Sequence, residues 1–160
     1  MSVVTRALQV QINGNPGTIL PQEGQVGTQL AARKIAIRGN YRFSRDGGAI
    51  STITLKDIFG QAITLPAGLV IDNGLIITRV PVVSGGATTL NIGLAAGAQF
   101  ASALPKTSVD GVNEVAAIIP VGSAASAVVV AAPALLTVVV AASAITAGEF
   151  DVFLEGFFRE

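Results

Sequence analysis

The 160-residue chain contains no His and no Cys. This removes Ser-His and Cys-His nucleophile pairs and every imidazole or thiolate metal site. The chemistry left is that of ten carboxylates and ten cations. The carboxylates are spread singly. Asp46, Asp57, Asp72 and Asp110 each sit in or beside a turn sequence, where a carboxylate commonly bonds its own backbone. A calcium loop needs several oxygen ligands close together in sequence. Only Asp72-Asn73-Gly74 and Asp110-Gly-Val-Asn-Glu114 approach that pattern. A glycosidase with two carboxylates is formally open, but a sugar cleft wants exposed aromatics, and the chain has one Tyr and no Trp. Ser84-Gly85-Gly86 lacks the Lys and the strand-to-helix setting of a phosphate loop. These residues predict a protein that is not an enzyme, with no catalytic residue, metal ligand or cofactor.

The cations suggest contact instead. Residues 1–45 hold Arg6, Arg33, Lys34, Arg38, Arg42 and Arg45 against Glu23 alone, a net +5, and the remainder carries −5. A basic front and an acidic back suit contact between neighbouring subunits. The plainer reading is that these cations solvate one hairpin, since an exposed ion pair contributes only about 0–1 kcal/mol. Nucleic acid is a poor fit: the chain is not basic overall and offers no stacking platform beyond Tyr41 and Phe43.

The elements that would position these groups read as β. Lys34-Ile-Ala-Ile-Arg38 alternates, and Tyr41 and Phe43 continue it. Asp46-Gly47-Gly48 and Asp72-Asn73-Gly74 both read as hairpin turns. Ile50 to Leu55, Ile63 to Leu65, Leu69 to Ile71, Leu75 to Val80 and Thr88 to Ile92 read as strands. Ala95 to Leu104 is Ala-rich and reads as a helical turn or short helix. In the last strand Phe150, Val152, Leu154 and Phe158 share one face, and Asp151, Phe153, Glu155 and Phe157 the other. That mixed charged and aromatic face predicts a partner. The predicted partner-binding set is therefore Arg33, Lys34, Arg38, Arg42, Arg45, Phe153 and Phe157.

The stretch from Val115 to Gly148 holds no charged residue. Hydropathy alone would propose a membrane helix. Its Val runs favour strands, Pro120 and Pro133 would break a helix, and no Lys or Arg anchors its ends. The expectation is two or three strands buried on both faces, without membrane insertion. The start, Met1-Ser-Val-Val-Thr-Arg6, predicts no secretory signal.

About eight strands at spacings near ten residues predict an all-β, jelly-roll-like β-sandwich over residues 33–160. Residues 1–32 are rich in Gly, Pro and Gln, and predict an extended N-terminal arm that orders on a partner. Val3 to Ile12 is a candidate strand within it. Charged residues are only 12% of the chain, so partners should cover much of the surface.

From about Gln61 to Phe158 the chain resembles small structural proteins of tailed-phage virions, of the capsid decoration (cement) type. The resemblance is carried by Leu65-Pro-Ala-Gly68, Thr89-Leu-Asn-Ile-Gly93, Ala95-Ala-Gly-Ala-Gln-Phe100, Val109-Asp-Gly-Val112 and Ile145-Thr-Ala-Gly-Glu-Phe-Asp-Val-Phe-Leu-Glu-Gly-Phe157. It implies a jelly-roll-like sandwich, a homotrimer, and a seat on the outer capsid lattice of major capsid proteins. It implies no catalytic residue. A head-fibre or tail-associated module that binds a receptor or carbohydrate is the alternative, and an enzyme using carboxylates alone is a third.

Overall fold

The computed structural model describes residues 34–120 and 127–158. The expected arm, its candidate strand from Val3 to Ile12, and Arg33 lie outside the described residues. Ten strands follow in order: β1 (Ile35–Arg42), β2 (Thr52–Thr54), β3 (Thr64–Leu65), β4 (Leu69–Ser84), β5 (Thr89–Leu94), β6 (Ala101–Pro105), β7 (Val115–Ile118), β8 (Val128–Val129), β9 (Ala134–Ala141) and β10 (Ile145–Phe158). Among the described residues these ten strands are joined by one helical turn, α1 (Phe43–Asp46), after β1 and by a 3-10 turn at Lys106–Ser108.

The strands form two antiparallel sheets. The first runs β1-β10-β4-β7, with β8 also on β4; the second runs β2-β9-β5-β6, with β3 also on β9. The chain crosses from one sheet to the other after β1, β3, β4, β6, β8 and β9. Setting aside the two-residue strands β3 and β8, this is the eight-stranded order of a jelly roll. The predicted all-β sandwich is therefore the fold.

Alternation builds the core. Phe150, Val152 and Leu154 of β10, Leu90 and Ile92 of β5, and Val138 and Val140 of β9 are buried together with Tyr41 and Phe100. Successive strand residues point to opposite faces, so a period of two delivers every second side chain inward. Each fully buried side chain of this size contributes about 1.5–3 kcal/mol. With no Trp, the branched aliphatics carry most of this burial.

Local signals were overridden in four places. Asp72-Asn73-Gly74 is not a hairpin, because β4 runs straight through it. Gly74 lies opposite Leu154 on one side and Ile118 on the other. A Cβ there would stand 2.5 Å from the Phe153 carbonyl oxygen, so this glycine permits close packing rather than a turn. Asp46-Gly47-Gly48 is not a hairpin either. Phe43–Asp46 closes as one helical turn, with Gly47 N–H donating to the Phe43 carbonyl at 2.9 Å, and β1 pairs with β10 instead of β2.

Ala95 to Leu104 forms no helix. Ala95 and Ala96 take positive φ of 46° and 71°, and Gln99 Oε1 accepts from Leu94 N–H at 2.9 Å. This tight bend returns β6 antiparallel to β5. The uncharged stretch from Val115 to Gly148 is β where described, as β7, β8, β9 and the start of β10. Only β9 is buried on successive residues, from Leu136 to Val138, while Val115, Ala117 and Ile119 are exposed. Burial on both faces was thus overstated: β7 has no second layer over its outward row among the described residues. No helix among the described residues is long and apolar enough to cross a membrane.

Pro81 interrupts β4 at an irregularity in its pairing with β10. Gly148 lies beside it with φ +140°, and a Cβ there would stand 2.9 Å from the Val82 Cα. Proline lacks the ladder donor, so a bulge is where an interior strand tolerates it.

Candidate interaction face

The outward face of the first sheet gathers most of the predicted residues. Residues directly opposite in register share a face. One cross-strand row reads Asn40, Asp151, Ile77, Val115, and the next Arg38, Phe153, Leu75, Ala117. Phe157 belongs to a separate row with Val70 and Val129. The β1 and β10 side of this face is charged, and the β4 and β7 side is apolar apart from Arg79, with Val115 60% exposed.

Asp151 is fully buried in this outward row, and Asn40 beside it is buried too. Its Oδ2 accepts from Arg38 Nη2 at 2.9 Å and Arg79 Nε at 2.7 Å, and its Oδ1 from Asn40 Nδ2 at 3.1 Å. The two guanidiniums roof the carboxylate. Arg38 also lies over the Phe153 ring, 5.7 Å from its centroid, within cation–π range.

The remaining cations are paired too. Arg42 grips Glu149 with two hydrogen bonds, Nε to Oε2 at 3.0 Å and Nη2 to Oε1 at 2.9 Å. That fork geometry is the strong form of the interaction. Lys34 reaches Asp72 at 3.3 Å and Glu155 at 3.6 Å. Arg45 and Lys56 hold Asp46 at 2.7 and 2.9 Å. Burial alone would raise the Asp46 pKa. The bonds from Arg45, Lys56 and the Arg42 backbone N–H outweigh it and hold the carboxyl at about 2. Among the described residues every cation has a carboxylate partner within the chain. The basic front and acidic back meet because β1 lies beside β10.

Lys34, Arg38, Arg42 and Phe153 thus come together on or at the edge of one face, and Arg45 sits beyond its end on α1. Sequence reasoning missed Arg79, Leu75 and Ile77. Their alternate spacing in Leu75 to Val80 was the available signal. It also missed the turn from Asp57 to Gln61, which presents Ile58 and Phe59 with 68% and 80% of their surface exposed. Beside that turn lies a polar depression of about 160 Å³ lined by Arg38, Asn40, Arg42, Arg45, Asp57, Ile58 and Glu149. Asp57 bonds its own backbone, as its turn position predicted, accepting from Phe59 and Gln61 N–H at 2.8 Å each. No group of three acidic residues is placed to hold a metal ion among the described residues.

No protein-family model matches this chain, and no curated protein matches it. Solved structures do. A chain in the cyanophage Pam1 capsid asymmetric unit superposes with TM-score 0.58 at 17% identity, covering 91% of this chain and 96% of that one. A chain in the capsid of Ralstonia phage GP4 gives 0.58 at 18% identity, covering 81% and 86%. One in the acid-stable capsid of Helicobacter pylori bacteriophage KHP30 gives 0.56 at 10% identity, covering 81% and 91%. At these identities the likeness is one of fold.

Proposed function

We propose that the protein is a structural component of a tailed-phage virion. In this reading it decorates the capsid, binding the outer lattice of major capsid proteins as a homo-oligomer, as a trimer by the resemblance, and reinforcing it. The observation that carries the reading is the fold: a jelly roll, in a chain that superposes on chains of three phage capsid structures over most of its length and theirs. The surface agrees with it. An apolar patch on β4 and β7 beside an ion-paired patch on β1 and β10 suits a protein partner. The protein has no catalytic role in this reading. Residues 1–32 act as a clamp, with Arg33 at its root. A segment that orders on binding can cover a wide surface at modest affinity.

Purified protein added to capsids stripped of accessory proteins tests the reading. It should attach, appear as added density on the outer surface by cryo-electron microscopy, and raise the temperature at which particles burst. A protein lacking residues 1–32 should fold and bind with lower occupancy. Failure of the full chain to attach, together with selective binding on a glycan array, would replace this reading with a receptor-binding module.

A further inference from the structure

The tip formed by residues 57–61 pairs the most exposed large apolar side chain among the described residues with a tightly bonded frame. Asp57 N–H donates to the Gln61 carbonyl at 2.9 Å, and Gly60 N–H to the Asp57 carbonyl at 3.1 Å. Asp57 Oδ1 takes the Phe59 and Gln61 N–H groups, and Lys56 bridges to Ala62 below. Phe59, 80% exposed, is thus held out on a clasped turn. A turn whose backbone is already fixed before contact loses less entropy on docking, which favours the aromatic it carries as an anchor.

The same chain carries a receptacle of matching size and character. Phe43, Val80, Ala147 and Gly148 line a depression of about 200 Å³, with Arg42, Ser44 and Glu149 at its rim. The depression exists because Ala147 and Gly148 are small beside Phe43 and Val80. An enclosed apolar cavity of about 150 Å³ accepts a benzene ring; this depression is of comparable volume but open on one side, so a Phe ring can seat in it with one face left toward the neighbouring surface. The rim also suits the tip. Arg42 spends Nε and Nη2 on Glu149 and keeps Nη1 for a further acceptor such as the Asp57 carboxylate of an arriving tip.

We infer that Phe59 of one copy inserts into the Phe43–Val80–Ala147 socket of the next, and that this contact builds the oligomer. The occupant is a second copy of this chain, since each copy offers one exposed apolar tip, one apolar depression of comparable volume, and at its rim an Arg42 that can take the Asp57 carboxylate. A contact between two different patches closes into a ring when the rotation between copies permits. The inference rests on the oligomeric part of the proposed function and specifies its surface.

Light scattering on the full chain and two variants tests it. Phe59→Ser removes the tip, and Val80→Arg fills the socket. Val80 is 46% exposed and Phe59 80%, so both variants should keep the wild-type circular dichroism spectrum. The wild type should be oligomeric at micromolar concentration, and each variant should self-associate more weakly by about 30-fold or more. Mixing the two variants should restore one contact, because one keeps its socket and the other its tip. A monomeric wild type, a Phe59→Ser protein as oligomeric as wild type, or a mixture that stays monomeric would each overturn the inference. Attachment of the same proteins to stripped capsids is read separately. A full chain that oligomerises through this contact yet ignores capsids would refute the decoration reading alone.

Discussion

Arg79 Nε lies 2.7 Å from Asp151 Oδ2, and that carboxylate is fully buried although it stands in the outward row of its sheet. The arrangement makes the charged half of the face rigid. Asp151→Ala should leave Arg38 and Arg79 facing each other without their anion. Breaking a fully buried pair costs about 3–5 kcal/mol. Both arginine side chains are 43% exposed, so water will soften the loss to about 2 kcal/mol. Urea unfolding should show it as a lower midpoint with an unchanged slope.

Tyr41 anchors the start of the same sheet. Its ring stacks on Phe150 at 4.9 Å between centroids, and its hydroxyl donates to the Gly47 carbonyl at 2.7 Å. Burial, and secondarily the charge of Asp46, pushes its pKa up to about 12. The folded state therefore favours the neutral phenol. The stability this gives is complete below the ordinary pKa of 10.0 and is lost as pH rises through about 12. Tyr41→Phe should cost about 1 kcal/mol at neutral pH by removing the hydrogen bond. It should also flatten the loss of stability in that alkaline window, measured by denaturation at stepped pH.

Asp46 sets the opposite limb. Its carboxyl is held at about 2 against an ordinary 3.8, so its contribution is present above pH 3.8 and is lost as pH falls through about 2. Asp46→Asn should remove about 1 kcal/mol at neutral pH once solvent screening is allowed for. It should also make thermal unfolding less steeply dependent on pH between 3.8 and 2. An acid limb identical to wild type would show that other carboxylates govern acid stability.

The parts of this fold legible in the sequence are those where alternation is strict. Phe150, Val152 and Leu154 announced the core face of β10, and Asp151 with Phe153 its outward face. Turn signals were read less well, because a turn sequence reports local preference and the fold is decided by distant partners. Gly74 sits in an Asp-Asn-Gly sequence, yet the close approach of Leu154 and Ile118 needs a glycine in mid-strand. The charge asymmetry was visible as totals but not as pairs. Arg42 and Glu149 are 107 residues apart, and only the pairing of β1 with β10 makes them neighbours. The Phe59 tip had no period at all to betray it. The backbone bonds of Asp57 were legible from its turn position, but that the turn stands clear of the sheets and leaves Phe59 exposed depends on the packing of distant strands.

The internal pairing changes how the lattice contact should be tested. Reversing Arg42 alone would set two anions face to face across β1 and β10, and lost binding would then be confused with lost folding. Exchanging the pair, Arg42→Glu with Glu149→Arg, keeps an ion pair at the same place and inverts its direction on the surface. Cross-strand pairs of opposite charge serve in either order, so the thermal midpoint should stay within a few degrees of wild type. Attachment to stripped capsids, compared at concentrations where light scattering shows both proteins in the same oligomeric state, should fall at least about tenfold if acidic groups of the lattice read this cation. Wild-type attachment should also weaken as salt rises, because exposed charges are screened over about 8 Å at physiological ionic strength. A double variant that folds and decorates like wild type, with salt-independent attachment, would remove Arg42 from the contact and leave the apolar patch of Leu75, Ile77 and Val115 as the surface to test next.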